Sequence, residues 1–334
     1  MIAKCPKYGV ALLIGFLLCL PVIPTVRADS MQITEEERLM DLALSYLYTN
    51  YSNDNIGLIR NSGDAEFSNI YWLYSDNYLA VQVLSTCSRS NSSHVDMADD
   101  IESAIGNYTR DYLAGIDPVN MYRMFTENMS AFKGSRAVNL NVPDLPSGVV
   151  VNTTVSDGGD LSSREYTDIA FLKVIYNSTW GDKNHVLDEY QYGVNSWNSS
   201  NDAGFEDTPF TTPSSRSYGR YQTYKLALFI YASKLLAPEY HPCFYQRAYN
   251  TLLSMNLTYG GFATEYKYDS DLQEVYALSG TNTETTCLAV LAFDKQSSDP
   301  IPEFHSIVIP VLSVVTVLVA MRRIAEGFEP RKRP

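Results

Sequence analysis

Two kinds of apolar pattern alternate along this chain. The first is a stripe at helical spacing with a polar opposite face. Leu39, Leu42, Ala43, Tyr46 and Leu47 form one such stripe, and Thr34 with Glu37 supplies a capping box at its start. A second stripe runs through His94–Leu113, a third through Lys183–Trp197 and a fourth through Glu239–Asn256. Each predicts a helix with one side in water. The second kind is apolar nearly all round: "YLAVQVL" after Asp76 and Asn77, "IAFLKVI" after Asp168, "LALFIYASKLL" after Lys225 and "CLAVLAF" after Thr286. These predict helices buried on most sides. The order is outer, inner, outer, inner, four times, with an extra helix expected near 120–132.

The connections repeat as well. A glycine with an apolar neighbour precedes each inner helix: "GLIRN", "GVVVN", "GFEDTPF" and "GGFATEY". Self-similarity at this period indicates stacked helix pairs. The stretch "VNLNVPDLPSGVVVNTTVSDGGD" is extended and rich in turn residues, so it predicts a few short strands.

Both ends carry different signals. Lys4 and Lys7, an apolar run Val10–Leu20, and Val26, Arg27 and Ala28 read as a cleaved export signal over residues 1–28. The run is shorter than the ~20 residues of a spanning helix. At the other end a 15-residue apolar run, Ile307–Met321, precedes Arg322 and Arg323. It predicts a short transmembrane helix over 307–323 with a basic cytoplasmic tail, 324–334. The body, 29–298, then lies outside the cell.

Composition agrees with that address. The 334 residues include 25 Tyr and carry a net charge of −13. That charge argues against nucleic acid, which is bound chiefly through Lys and Arg. Eight N-x-S/T sequons occur, at Asn50, Asn91, Asn107, Asn128, Asn152, Asn177, Asn198 and Asn256, as in a glycosylated surface protein. Cys87, Cys243 and Cys287 remain after the signal, too few for a disulfide framework. His241 and Cys243 form a lone H-x-C pair, and no metal or cofactor is implied.

"GGFATEY" with "TETTCLAVLAF" resembles repeats of the terpenoid-cyclase and prenyltransferase toroids. "YWLYSDNYLA", "YTDIAFLKVIY", "GFED" and "TYKLAL" are closer to six-hairpin glycosidase-like proteins. The resemblance implies a mainly α fold, an α/α toroid of helical hairpins with a few short strands in its loops. It also implies a site where the loops enter the inner helices. The D-x-D-D run and the C-G-E-Q stretch of the other toroid families are absent.

Carboxylates and aromatics at those places suit sugars. Asp207 and Glu265, with Asp168 third, are the expected acid/base residues of a glycoside hydrolase or lyase. Asp76, Asn77, Tyr166, Tyr224, Tyr266 and Glu284 are the expected substrate contacts. The alternative is a non-catalytic surface-layer-associated or glycan-binding protein, its carboxylates structural. Under it, Ser162 with Glu165 and Thr281 with Glu284 are capping boxes. The linker 299–306 holds Pro302, Glu303 and Phe304. This triplet, followed by a short apolar helix and arginines, resembles the archaeal PEF-CTERM sorting signal. That likeness implies an archaeosortase as partner, removal of the tail, and a lipid anchor on the outer face of the membrane. Surface polysaccharide is the other expected partner.

Overall fold

The structure, a computed structural model, describes residues 33–52, 56–113, 118, 133–198, 203–210, 219–269, 271–272, 274–278 and 280–295. The expected signal segment, the extra helix at 120–132, the PEF triplet and the sorting helix all lie outside the described residues. The chain divides into a segment ending at Thr34 and a body beginning at Glu35. Every described helix and strand belongs to the body.

Eight α-helices are described: α1 (Glu35–Asn50), α2 (Asp76–Thr86), α3 (Ser92–Tyr112), α4 (Thr167–Thr179), α5 (Val186–Asn195), α6 (Thr223–Lys234), α7 (Tyr245–Ser254) and α8 (Thr283–Phe293). The even-numbered helices come from the all-round apolar segments. In α4 Asp168 is only 8% exposed, and Ile169, Ala170, Phe171 and Leu172 are buried in succession. Such a helix needs neighbours on every side, and α6 and α8 have the same character. Contacts run from α4 to α6, from α6 to α8, and from α8 to α2. The amphipathic helices cover this row: α1 lies on α8, α3 on α2, α5 on α4 and α7 on α6. One core joins them. Phe171, Trp197, Phe205, Phe229 and Phe244 interlock, with the Trp197 and Phe244 rings stacked at 4.3 Å and Phe171 edge-on to Phe205 at 5.1 Å.

The expected mainly α toroid is overturned by the strands. About 50% of the structure is helix and 20% strand, spread over several sheets. Ten strands are described: β1 (Tyr51–Ser52), β2 (Leu58–Ile59), β3 (Ile70–Trp72), β4 (Lys133–Asn139), β5 (Val150–Asp160), β6 (Arg220–Gln222), β7 (Phe262–Ala263), β8 (Glu265–Asp269), β9 (Glu274–Ala277) and β10 (Thr281–Asn282). They form the pairs β1-β2 and β10-β7 and the sheets β3-β5-β4 and β6-β8-β9. In the second of these β8 is antiparallel to both neighbours. In the first, β4 is antiparallel to β5, with Arg136 opposite Val155, while β3 runs parallel to β5 with Tyr71 opposite Val151. The physical reason lies in "VVNTTVSDGGD". Val151 and Val155 are buried, and Thr153 between them is fully buried too. This segment is one sheet-forming strand of 11 residues, longer than the short strands expected there. The expected N-terminal signal helix and C-terminal transmembrane helix fall outside the described residues, among which no helix is long and apolar enough to cross a membrane.

The repeating glycine motifs have a structural meaning. "GLIRN" contains β2, "GVVVN" begins β5, and "GGFATEY" supplies β7 and the start of β8. Strands β6 and β10 run straight into α6 and α8. Gly57, Gly148 and Gly260 have φ of 66°, 84° and 87°, a region that L side chains rarely occupy.

Candidate functional site

The N-terminal turns of the buried helices carry Asp76 and Asn77 on α2, Thr167 and Asp168 on α4, Tyr224 and Lys225 on α6, and Glu284 on α8. Asp207 approaches from the loop after α5. Because the four helices pack in a row, these groups act on one another. The charge of Glu284 bears on Asp76, those of Asp168, Glu284 and Asp207 bear on Tyr224, and those of Lys225 and Asp207 bear on Asp168.

Asp207 is the most heavily engaged. Its Oδ2 accepts from Lys225 Nζ at 2.5 Å, with the two side chains only 6% and 4% exposed. Its Oδ1 accepts from the backbone N–H of Thr167 at 2.9 Å. A loop carboxylate therefore caps α4, whose preceding residue Tyr166 makes no side-chain cap bond. The Ser162 and Glu165 capping box does not form at this helix start. Ser162 instead closes a turn through backbone bonds to Glu165 and Tyr166. At α8 the cap is Asn282, whose side chain accepts from Thr285 N–H, in place of the expected Thr281.

Asp168 is buried, and its Oδ2 accepts from the Tyr224 hydroxyl at 3.0 Å while Oδ1 accepts from Ile169 N–H. Burial raises its pKa, the Lys225 charge opposes the rise and the Asp207 charge adds to it. Tyr224 is pushed well above an ordinary phenol by burial first, then by Asp168. Asp76 is 2% exposed. Ser75 donates to its Oδ1 at 2.8 Å, and its Oδ2 has no hydrogen-bond partner. Burial and the Glu284 charge push Asp76 well above the usual carboxylate range. Cys287 is fully buried, and its thiol is raised by burial and by the same two carboxyls.

The other expected contacts separate by role. Asn77 is fully buried: its Oδ1 accepts from Ile59 N–H, and its Nδ2 donates to the carbonyls of Ile59 and Trp72. It ties α2 to β2 and β3. Tyr266 is fully buried, stacks on Tyr221 at 5.5 Å and donates to the Ala203 carbonyl, so it belongs to the core. Tyr166 is half-buried at the start of α4. Glu265 opens β8 and lies 3.7 Å from Arg220 Nη1.

Asp207 and Glu265 do face one cavity. With Phe205, Glu206, Arg220, Gln222 and Lys225 they line one cavity of about 30 Å³, room for about one water. Arg220 and Thr167, which no sequence motif marks, complete the site. Nothing local points to Thr167, since its contribution is a backbone N–H facing a residue forty positions away. No group of His, Cys, Asp or Glu suited to a metal occurs among the described residues. His241 bonds the Ser233 carbonyl and stacks on Tyr245 at 4.4 Å.

A roomier cleft, about 630 Å³, lies elsewhere, between α3 and the segment 142–146. Tyr51, Tyr108 and Tyr112 line it with Asp100, Asp111 and Asp144. Tyr51 and Tyr112 are half-buried, and Tyr108 is fixed by donation to the Ile56 carbonyl at 3.1 Å. Compared with models of protein families, with curated proteins and with solved structures, the chain matches none of them.

Proposed function

We propose that this is an exported surface protein that binds glycan without cleaving it, held at the outer face of the membrane after an archaeosortase has processed its C-terminus. The observation that carries the non-catalytic reading is the contrast between the two cavities. Asp207 is locked to Lys225 and to a helix N-terminus, and Glu265 lies by Arg220, around a space of about 30 Å³. A glycosidase needs room for a sugar ring between its acid and base. The Tyr-lined cleft has that room. Its half-buried rings offer apolar faces to a pyranose, and its aspartates accept from hydroxyls. Export and anchoring rest on the N-terminal signal, the sequons and the order of parts around Pro302, Glu303 and Phe304.

The test is calorimetric titration of the native protein with surface polysaccharide fragments, alongside an assay of reducing ends on prolonged incubation. Saturable binding, weakened about tenfold or more in Tyr112→Ala, is expected without new reducing ends. Reducing ends that accumulate with protein concentration would overturn the non-catalytic reading. A flat titration would overturn the glycan.

A further inference from the structure

We infer that Lys225 and Asp207 join covalently, Nζ to Cγ, in an autocatalytic intramolecular amide bond formed after folding. The reacting groups are already in contact, with Nζ 2.5 Å from Oδ2, and both side chains are almost wholly removed from water. An ordinary surface ion pair does not condense, because water keeps both partners charged. Phe205 lines the cavity beside the pair, and Glu206, Arg220, Gln222 and Glu265 complete its wall. Burying two opposite charges is costly, and condensation removes both at once.

Two further groups and a cavity fit the reaction. The backbone N–H of Thr167 donates to Oδ1 at 2.9 Å. It comes from the first turn of α4, so a helix N-terminus faces the oxygen on which negative charge would develop. Asp168, within the field of both reactants, is a buried carboxyl able to carry a proton. The cavity of about 30 Å³ beside the pair takes one water.

The steps balance without any other reagent. A proton passes from Nζ to Oδ2, leaving an amine and a carboxylic acid. The amine lone pair adds to Cγ, and the oxyanion on Oδ1 rests on Thr167 N–H. Asp168 takes a proton from the nitrogen and returns one to Oδ2. The Cγ–Oδ2 bond breaks, and one water leaves through the cavity. One C–N bond is gained, one C–O bond is lost, and no electron changes hands. The product would tie the loop after α5 to the start of α6. This body otherwise has no covalent tie of that kind among its described residues, where Cys87, Cys243 and Cys287 are all free thiols.

The experiment is peptide mapping of the full-length, deglycosylated protein after denaturation and trypsin. An acylated Lys225 resists the protease, so peptides 184–216 and 221–234 should appear as one species, lighter than their sum by one water. Lys225→Arg should abolish it. Asp168→Asn keeps both reactants, and formation of the linked species after refolding should slow by about a hundredfold or more. Separate linear peptides, with cleavage after Lys225 in the mature protein, would overturn the bond. Undiminished linkage in Asp168→Asn would overturn the role given to that carboxyl. The result is independent of whether the Tyr-lined cleft binds glycan.

Discussion

Asp76 poses a plain electrostatic question. It is buried, one oxygen has no partner, and burial with the Glu284 charge raises its pKa well above the usual carboxylate range. The folded protein therefore keeps that proton to higher pH than the unfolded chain does. Such an acid contributes its full stability below the unfolded pKa, near 3.8, and loses it as pH rises toward the folded value. Asp76→Asn keeps the shape without the charge. It should stabilise the fold at pH 7 by on the order of 1–2 kcal/mol and flatten the pH dependence. Urea unfolding between pH 4 and 8 checks this, and a variant less stable than the parent at pH 7 refutes it. Lys234 is the mirror case. Burial lowers its pKa to about 8, against the help of Asp294 and Glu36. The unfolded chain binds this proton more tightly, so stability falls as pH drops from about 10.5 to about 8 and then levels off. Lys234→Met should remove that slope, read in the same unfolding series at alkaline pH.

Among the elements, the buried helices are legible in the sequence because twelve consecutive residues such as "TYKLALFIYASK" leave little choice of partner but protein. Their ends are not. The expected capping boxes at α4 and α8 give way to Asp207 and Asn282, because a helix N–H donates to whichever oxygen the tertiary structure brings within reach, near or distant in sequence. The third and fourth stripes are each interrupted: short 3-10 turns at Lys183–His185 and Pro238–Tyr240 precede α5 and α7, which start later. Pro242 helps delay α7, since a proline disfavours helix at the residue before it. The strands are harder to read for a different reason. Their hydrogen bonds join segments far apart, as β3 and β5 do, and no local period reports that pairing. The glycine repeats are the visible trace of it. Gly260 shows why: φ is +87°, and a Cβ there would sit 2.3 Å from the Leu42 carbonyl oxygen. Gly260→Ala should cost on the order of 3 kcal/mol, through backbone strain and overpacking against α1. Thermal unfolding reads this, and an unchanged midpoint would mean that the approach of "GGFATEY" to α1 is not tight.

At the scale of the whole molecule, the candidate site is partly visible in the sequence. Asp168, Asp207, Glu265 and Glu284 all stand at the loops that lead into the buried helices, and the helix row brings most of them within reach of one another. Their chemistry is not visible there, because it depends on which cation each carboxylate meets across the fold. The same holds for the sequons. Asn50 and Asn152 satisfy the motif, yet they are 4% and 9% exposed, and Asn50 Nδ2 donates to the Tyr46 carbonyl. A transferase acting on the folded chain cannot reach either, so glycan mapping should find both unmodified. The C-terminal segment makes its own demand on the whole. Its apolar run of 15 residues spans ~22 Å as a helix, short of a ~30 Å hydrocarbon core. A permanent anchor would be under strain at that length. A substrate that a membrane enzyme grips once and removes would not. Peptide mapping of the native protein should therefore recover the body but no peptide from residues 305–334. Phe304→Ala should restore those peptides and leave the protein in the membrane by its own apolar run. Recovery of that segment from the unaltered protein, in amounts equal to the body, would make the short apolar run a lasting anchor and overturn the proposed archaeosortase processing.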